Sequence, residues 1–387
     1  MLGEVRPPVT ALASCLALLS QSACLVTVFV KDVASDDGGS DGSSGLGDMS
    51  EETGVTGTGG AGGTSAATGS PGASTGPEFD VGAPDPLGLY CDPWPVACDG
   101  EDTAVDHALG LNCPGGIKTE GPLTWVGSDL SRMTTDAVLG TTKTFEPVEG
   151  GRRVMLSTGI AGHALLTLAQ LPQEAGCPMS QTCPSTELPG EDRTVLPPPI
   201  DPTPQKCKAG QDVPGPGDCS GTVLDQWELG GDPLTAYDYT ELRFVAVVPQ
   251  RTAALHLDFA FLTTEYPPRF PGGHNDLFVA WVASERYTGN FALDPDANPI
   301  AAETLPYTIK LDAMPMDCEP NCPDEPLRGF AFEGHAGTPW LPAEIGVRAG
   351  ETIEVVFALF DVGDGKADSA VLLDGVRWVC APPPSSL

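Results

Sequence analysis

Apolar residues recur along the chain in short runs separated by Gly, Pro and Asp. Examples are "RRVMLSTG", "ELRFVAVVP", "ALHLDFAFLTTEYP", "DLFVAWVAS", "TIEVVFALFDVG" and "SAVLLDGVRWV". Within "LHLDFAFL" the alternation has period two, which puts Leu255, Leu257, Phe259 and Phe261 on one face of a strand. Many short strands punctuated by turn residues predict an all-β fold, an antiparallel β-sandwich of jelly-roll-like type. One convincing short helix is predicted near the N-terminal side of the domain, "TAVDHALGL", with Asp102-Thr103 as its cap and "NCPGG" closing it. Trp281 in "FVAWVAS" and Trp378 in the terminal apolar run are expected in the core.

The N-terminal part has a different pattern. "VTALASCLALLSQSAC" is apolar with small residues at its end, which reads as a secretory signal over residues 1–24. "QSAC", ending at Cys24, is the better placed of two lipidation sequences, the other being "LASC" at Cys15. An uncleaved anchor remains open, since Val9 to Val30 is 22 mostly apolar residues and about 20 span a bilayer. Residues 25–80 read as a disordered linker, because 31–80 are rich in Gly, Ser, Thr and acidic residues and nearly free of large apolar ones. "GTGGAG" and "GGSDG" in this stretch match phosphate-binding and nucleophile-elbow wording, but neither follows a strand or opens a helix, so both are compositional accidents. The folded domain is read as residues 81–387.

Composition adds an address. The chain has 387 residues and a formal charge of −34, which disfavours nucleic-acid binding and unaided docking on anionic lipid, and suits divalent cations. Membrane association is expected only through the N-terminal anchor. Of the 12 cysteines, those in the domain form no C-x-x-C pair, which favours disulfides over zinc and an extracytoplasmic, oxidising compartment. Residues 172–222 carry four Cys and many Pro with little periodicity, and read as a disulfide-stapled surface insertion. Local pairs Cys177–Cys183, Cys207–Cys219 and Cys318–Cys322 would leave Cys91, Cys98, Cys113 and Cys380 to tie the N-terminal part to the final strand, although spacing does not fix connectivity.

Three segments in order, "FLTTEYP" (261–267), "HNDLF" (274–278) and "DVGDGKADSAVLLD" (361–374), together with "VEGGRRVMLSTG", resemble the bacterial choice-of-anchor L domain. The likeness spans most of 85–380 apart from the Cys-rich insertion, and Thr264 stands where the family commonly has Ser. The resemblance implies a secreted or surface-attached β-sandwich protein with no catalytic role to carry over. Members of the family often end in a sorting anchor; this chain ends "CAPPPSSL", so an N-terminal anchor is expected to serve, consistent with Cys24.

The strongest chemical signal is acidic. Asp361, Asp364 and Asp368 fall within eight residues, without the spacing or terminal Glu of an EF-hand. Calcium needs several oxygen ligands, and a sandwich can gather them from separate loops. Glu265, Asn275 and Asp276 lie next to apolar strands and complete a hypothetical six-residue calcium site; the competing reading is a set of solvated acidic turns. The five His residues, at 107, 163, 256, 274 and 335, form no H-E-x-x-H, and no Ser sits in a nucleophile elbow. Glu265 with Asp276 or Asp361 as a glycosidase pair is the weaker alternative. Tyr266, Phe270, Tyr287 and Trp340 lie in loop-like contexts and are the candidate ligand-binding aromatics. The reading is a non-catalytic surface binding or adhesion protein, taking a surface glycan or protein ligand. Alternatives are a carbohydrate-binding module and, below it, a hydrolase.

Overall fold

The alternating segment becomes one half of a long central strand pair. In the computed structural model, the residues described are 90–100, 103–127, 130–135, 144–172, 193–201, 217–224, 226, 235–266, 275–305, 326–363, 365 and 367–382. The predicted signal sequence, Cys24 and the predicted linker lie outside them. The strands, in chain order, are β1 (Thr124–Gly127), β2 (Met133–Thr134), β3 (Val154–Ser157), β4 (Arg193–Val195), β5 (Gly217–Cys219), β6 (Thr235–Val247) and β7 (Thr252–Thr263). Then follow β8 (Leu277–Ala283), β9 (Tyr287–Asn290), β10 (Ile300–Ala301), β11 (Ala336–Gly337), β12 (Leu341–Gly346), β13 (Thr352–Asp361) and β14 (Ser369–Cys380).

Two sheets result. One runs β1-β6-β13-β8-β9-β5, with β4 on β6 and β10 on β8; the other runs β11-β7-β14-β3-β2, with β12 on β7. Pairing is antiparallel except between β5 and β9. Leu255, Leu257, Phe259 and Phe261 from one sheet share a buried cluster with Phe278, Ala280, Val282, Val355, Phe357 and Leu359 from the other. Phe259 and Phe278 meet with ring centroids 5.2 Å apart. This inter-sheet layer establishes a β-sandwich, as the alternation predicts. Trp378 belongs to it.

The outer faces are also covered, which explains why "VVFALF" in β13 is apolar without alternation. Val356, Ala358 and Phe360 point away from the inter-sheet layer and pack with Trp281, Leu196, Ile200 and Val223. Ala260, Leu262, Ala370 and Leu372 lie under Phe145, Leu171, Phe330 and Phe332. Leu196 and Ile200 come from the Cys- and Pro-rich segment, which also supplies β4 and β5. That segment is therefore built into the fold over its described part, rather than lying wholly on the surface.

Two short α-helices are described, α1 (Val105–Ala108) and α2 (Ala161–Ala164). The predicted helix is thus one turn long. Its N-cap position is Ala104, with no side-chain cap bond, so Thr103 does not cap it; Asp102 lies outside the described residues.

Disulfides join Cys91 to Cys380 and Cys98 to Cys113, so the N-terminal part is tied to the final strand as expected. Cys219 is disulfide-bonded to a cysteine outside the described residues, and the remaining predicted pairs also fall outside them. The Cys91–Cys380 bond closes a loop of 289 residues. Closing so long a loop restricts the unfolded chain strongly, so replacing both cysteines by Ser is expected to lower unfolding free energy by about 2–5 kcal/mol. Equilibrium denaturation of oxidised wild type and variant measures this; equal midpoints would contradict it.

Candidate functional site

Strand alternation brings the acidic residues of distant segments to one end of the sandwich. Phe278 and Leu359 face the inter-sheet layer, so Asp276 and Asp361, each two positions further towards this end, fall on the same inner side. The β13–β8 register runs to Phe360↔Leu277, which makes Asp361 and Asp276 cross-strand neighbours. On the other sheet Ser369 pairs with Thr263, and Thr264 donates its N–H to the Asp368 carbonyl at 3.1 Å. Glu265 accepts the Asp276 N–H on Oε2 at 3.0 Å, which stitches the two sheets together here. Val362 accepts the Asn275 N–H at 3.0 Å. The segments flanking 265–276 and 361–368 therefore meet, and Glu265, Asp276, Asp361 and Asp368 are all buried. Asp364 lies outside the described residues.

Four buried carboxyls in one place repel one another. Burial first, then the neighbouring charges of Asp276, Glu265 and Asp368, hold Asp361 well above the usual carboxylate range. Neither carboxylate oxygen of Asp361 meets an N–H or hydroxyl donor among the described residues. A bond between Asp361 and Asp276 requires one of the two to carry a proton. The group has two ways to be neutralised, by protons or by a cation.

The donor set is hard oxygen, which suits calcium or magnesium rather than zinc. Among the described residues no group of three or more His, Cys, Asp or Glu is arranged to hold a metal ion. The Asn275 amide is already engaged by the protein. Its Oδ1 accepts the Glu303 N–H at 3.0 Å, and its Nδ2 donates to the backbone and side-chain oxygens of Gln226 at 3.2 and 3.1 Å. It positions the walls of the acidic end.

A second set of acids, which no motif had suggested, sits further along β14. Asp374 accepts the N–H groups of Val148 at 2.6 Å and Glu149 at 3.2 Å on Oδ2, and that of Gly375 at 2.7 Å on Oδ1. Asp99 accepts the N–H groups of Gly151 and Arg152 at 2.9 and 2.6 Å. Two buried carboxylates thus clamp the "VEGGR" turn. Its Gly150, at φ +63°, leaves no room for a Cβ, which would lie 2.0 Å from an Asp99 oxygen. Beside it Asp258 is paired with His256 at 2.9 Å and Arg377 at 3.1 Å, and is held below the usual range: burial alone would raise it, and these two partners outweigh burial.

The predicted aromatics divide. Tyr287 is 1% exposed and donates its hydroxyl to the Asn290 carbonyl at 2.6 Å, so it is a core residue and not a ligand contact. It sits in β9, paired to β8, and its polar tip is satisfied internally. Trp340 is half-buried against the Phe330 cluster, with Nε1 donating to the Glu146 carbonyl at 3.1 Å. Tyr266 is half-buried against the inter-sheet layer, and Phe270 lies outside the described residues. The aromatic that does reach solvent is Trp94, 82% exposed, with Tyr90 at 58%. Its flanking prolines in "DPWPVAC" were the available signal.

No protein-family model matches the chain, and no curated protein matches it.

Burial, larger than the backbone bonds that oppose it, pushes the Asp374 carboxyl up to about 7. A raised folded-state value means the folded protein binds this proton more tightly than the unfolded chain, whose Asp titrates near 3.9. The contribution is present at low pH and is lost as pH rises from about 4 through 7. Stability of the wild type is expected to fall more steeply over this window than that of Asp374→Asn, measured by denaturant titration at fixed ionic strength. Parallel profiles would remove the assignment.

Proposed function

We propose that this is a non-catalytic, extracytoplasmic binding or adhesion protein of the choice-of-anchor L type, carried on a flexible tether, with a cation neutralising the acidic end of its sandwich. The observation that carries the reading is the buried acidic cluster, in which the Asp361 oxygens meet no N–H or basic side-chain donor among the described residues. Calcium is the expected cation, with Glu265, Asp276, Asp361 and Asp368 as the oxygen donors and Asp364 as the remaining candidate. A cation there ties the ends of β7, β8, β13 and β14 without using chemistry on a substrate, which is the behaviour of a stabilising site. Two disulfides joining described residues support an oxidising compartment. Cys24 is the proposed lipid attachment point. Among the described residues no helix is long and apolar enough to cross a membrane.

The test is thermal unfolding of the oxidised full-length chain in EDTA, then with calcium added. At a hundred times Kd the expected gain is about 2.7 kcal/mol, a rise of several degrees. Asp361→Asn removes a buried charge from a like-charge group, so it is expected to melt no lower than wild type in EDTA and to lose the calcium response. A wild-type midpoint that is the same in EDTA and in calcium would overturn the cation assignment.

A further inference from the structure

The segment from Cys91 to Cys98 is anchored at both ends. Cys91 is bonded to Cys380 and Cys98 to Cys113. Between them the sequence is "DPWPVA", with proline on each side of Trp94. The Trp94 N–H is held by Asp92 Oδ1 at 2.9 Å, and the Val96 N–H by the Pro114 carbonyl at 2.9 Å. The strap lies tightly on the 113–116 turn: a Cβ on Gly115, whose φ is +76°, would sit 2.7 Å from Asp92 Oδ2 and 3.2 Å from Pro95 Cα. Proline, the short turn and two crosslinks leave this backbone little freedom to lose on binding.

On so constrained a strap the largest side chain points outwards. Trp94 is 82% exposed, and Tyr90 and Val96 on the same stretch are 58% and 60% exposed. An indole carried into water on a constrained backbone has no role in the core, yet an exposed aromatic on a pre-ordered backbone is what a binding face uses as an anchor. We propose that the 91–98 strap is a carbohydrate-binding site, with a neutral sugar ring packed on the Trp94 indole and Asp92 beside it as a hydroxyl acceptor.

Two observations select this occupant. The first is area. Trp94, Tyr90 and Val96 offer about 400 Å² in total, taking ~150–250 Å² for each large aromatic. A specific protein partner needs about 800 Å² on each side, whereas one or two sugar rings need only the indole face and its surroundings. The second is charge. The chain carries 53 acidic and 19 basic residues. Nucleic acid, acidic glycans and anionic lipid are repelled, and a neutral sugar is not. Asp92 is the only charged side chain from Tyr90 to Cys98, and the neighbouring Lys118 ammonium is already engaged by the Asn112 and Cys113 carbonyls at 2.7 and 2.8 Å.

The inference rests on the reading of the domain as a binding module. The experiment is retention of the oxidised full-length chain on insoluble neutral polysaccharides (cellulose, chitin and mannan), with release of reducing ends followed in parallel. Wild type is expected to bind at least one of them. Trp94→Ala is expected to bind about tenfold more weakly or worse, and Trp94→Phe to fall between, with all three melting together because the residue is exposed. Retention of Trp94→Ala equal to wild type would overturn the strap as the site while leaving the binding-module reading intact. Failure of wild type to bind any of the three would overturn the neutral-sugar assignment. Release of reducing ends would instead overturn the non-catalytic reading. Self-association by sedimentation that vanishes in Trp94→Ala would identify a second copy of the chain as the occupant and reject the sugar.

Discussion

The pairing of β7 with β14 is the constraint on which the rest of the molecule depends. The two strands run together from Ser369↔Thr263 to Cys380↔Thr252, and both of their faces are buried over most of that length. A strand buried on both faces cannot slip by one residue without exchanging its whole set of contacts. Leu257, Phe259 and Phe261 would leave the inter-sheet layer, and Ala260 and Leu262 would lose the Phe330 layer. The register is therefore fixed, and with it the places of the polar residues that remain on these strands.

Acidic residues collect midway along the pair and beyond its Ser369–Thr263 end, and the two places solve the same problem differently. Midway along it lie Asp374 and Asp258, which are opposite each other in the register. Asp374 accepts backbone N–H groups from the 148–149 turn, and Asp258 is paired with Arg377 and His256. Each carboxyl meets donors from the protein itself. Beyond the Ser369–Thr263 end lie Glu265 and Asp368, met by Asp276 and Asp361 from the other sheet, where the same kind of burial brings like charges together. Buried charge that is neither paired nor hydrogen-bonded is expensive, and it is relieved by protonation or by a bound ion. The contrast between the two places, within one fold, is a stronger argument for an external cation than acidity alone.

What the sequence made legible follows the same physics. Period two was visible where one face of β7 is large and apolar and the other carries His256 and Asp258, so Leu255 to Phe261 could be placed at once. The approach of the 265–276 and 361–368 flanks was also readable, because an antiparallel sandwich brings strand ends together and the acids sit at strand ends. The covering layers were not readable. Phe145, Leu196, Ile200 and Phe330 stand in segments of no regular period, and only their tertiary contacts show that they close the outer faces. Asn275 resembled its acidic neighbours in position and donor chemistry, and only its bonds to Glu303 and Gln226 separate support from ligation.

The aromatics show why local context is a weak guide to exposure. Tyr287 follows a turn and looks like a loop residue, but β9 pairs with β8 and the Asn290 carbonyl satisfies its hydroxyl, so burial is favourable. Trp94 lies between two cysteines, a setting that suggests a buried staple. The crosslinks there do the opposite. They hold the backbone of the strap, which proline on each side of Trp94 stiffens further, while the indole stands in water. The disulfide that secures the last strand thus also anchors the backbone that carries an exposed aromatic. That links the stability of this sandwich to the only part of its described surface where a large aromatic side chain stands almost fully in water.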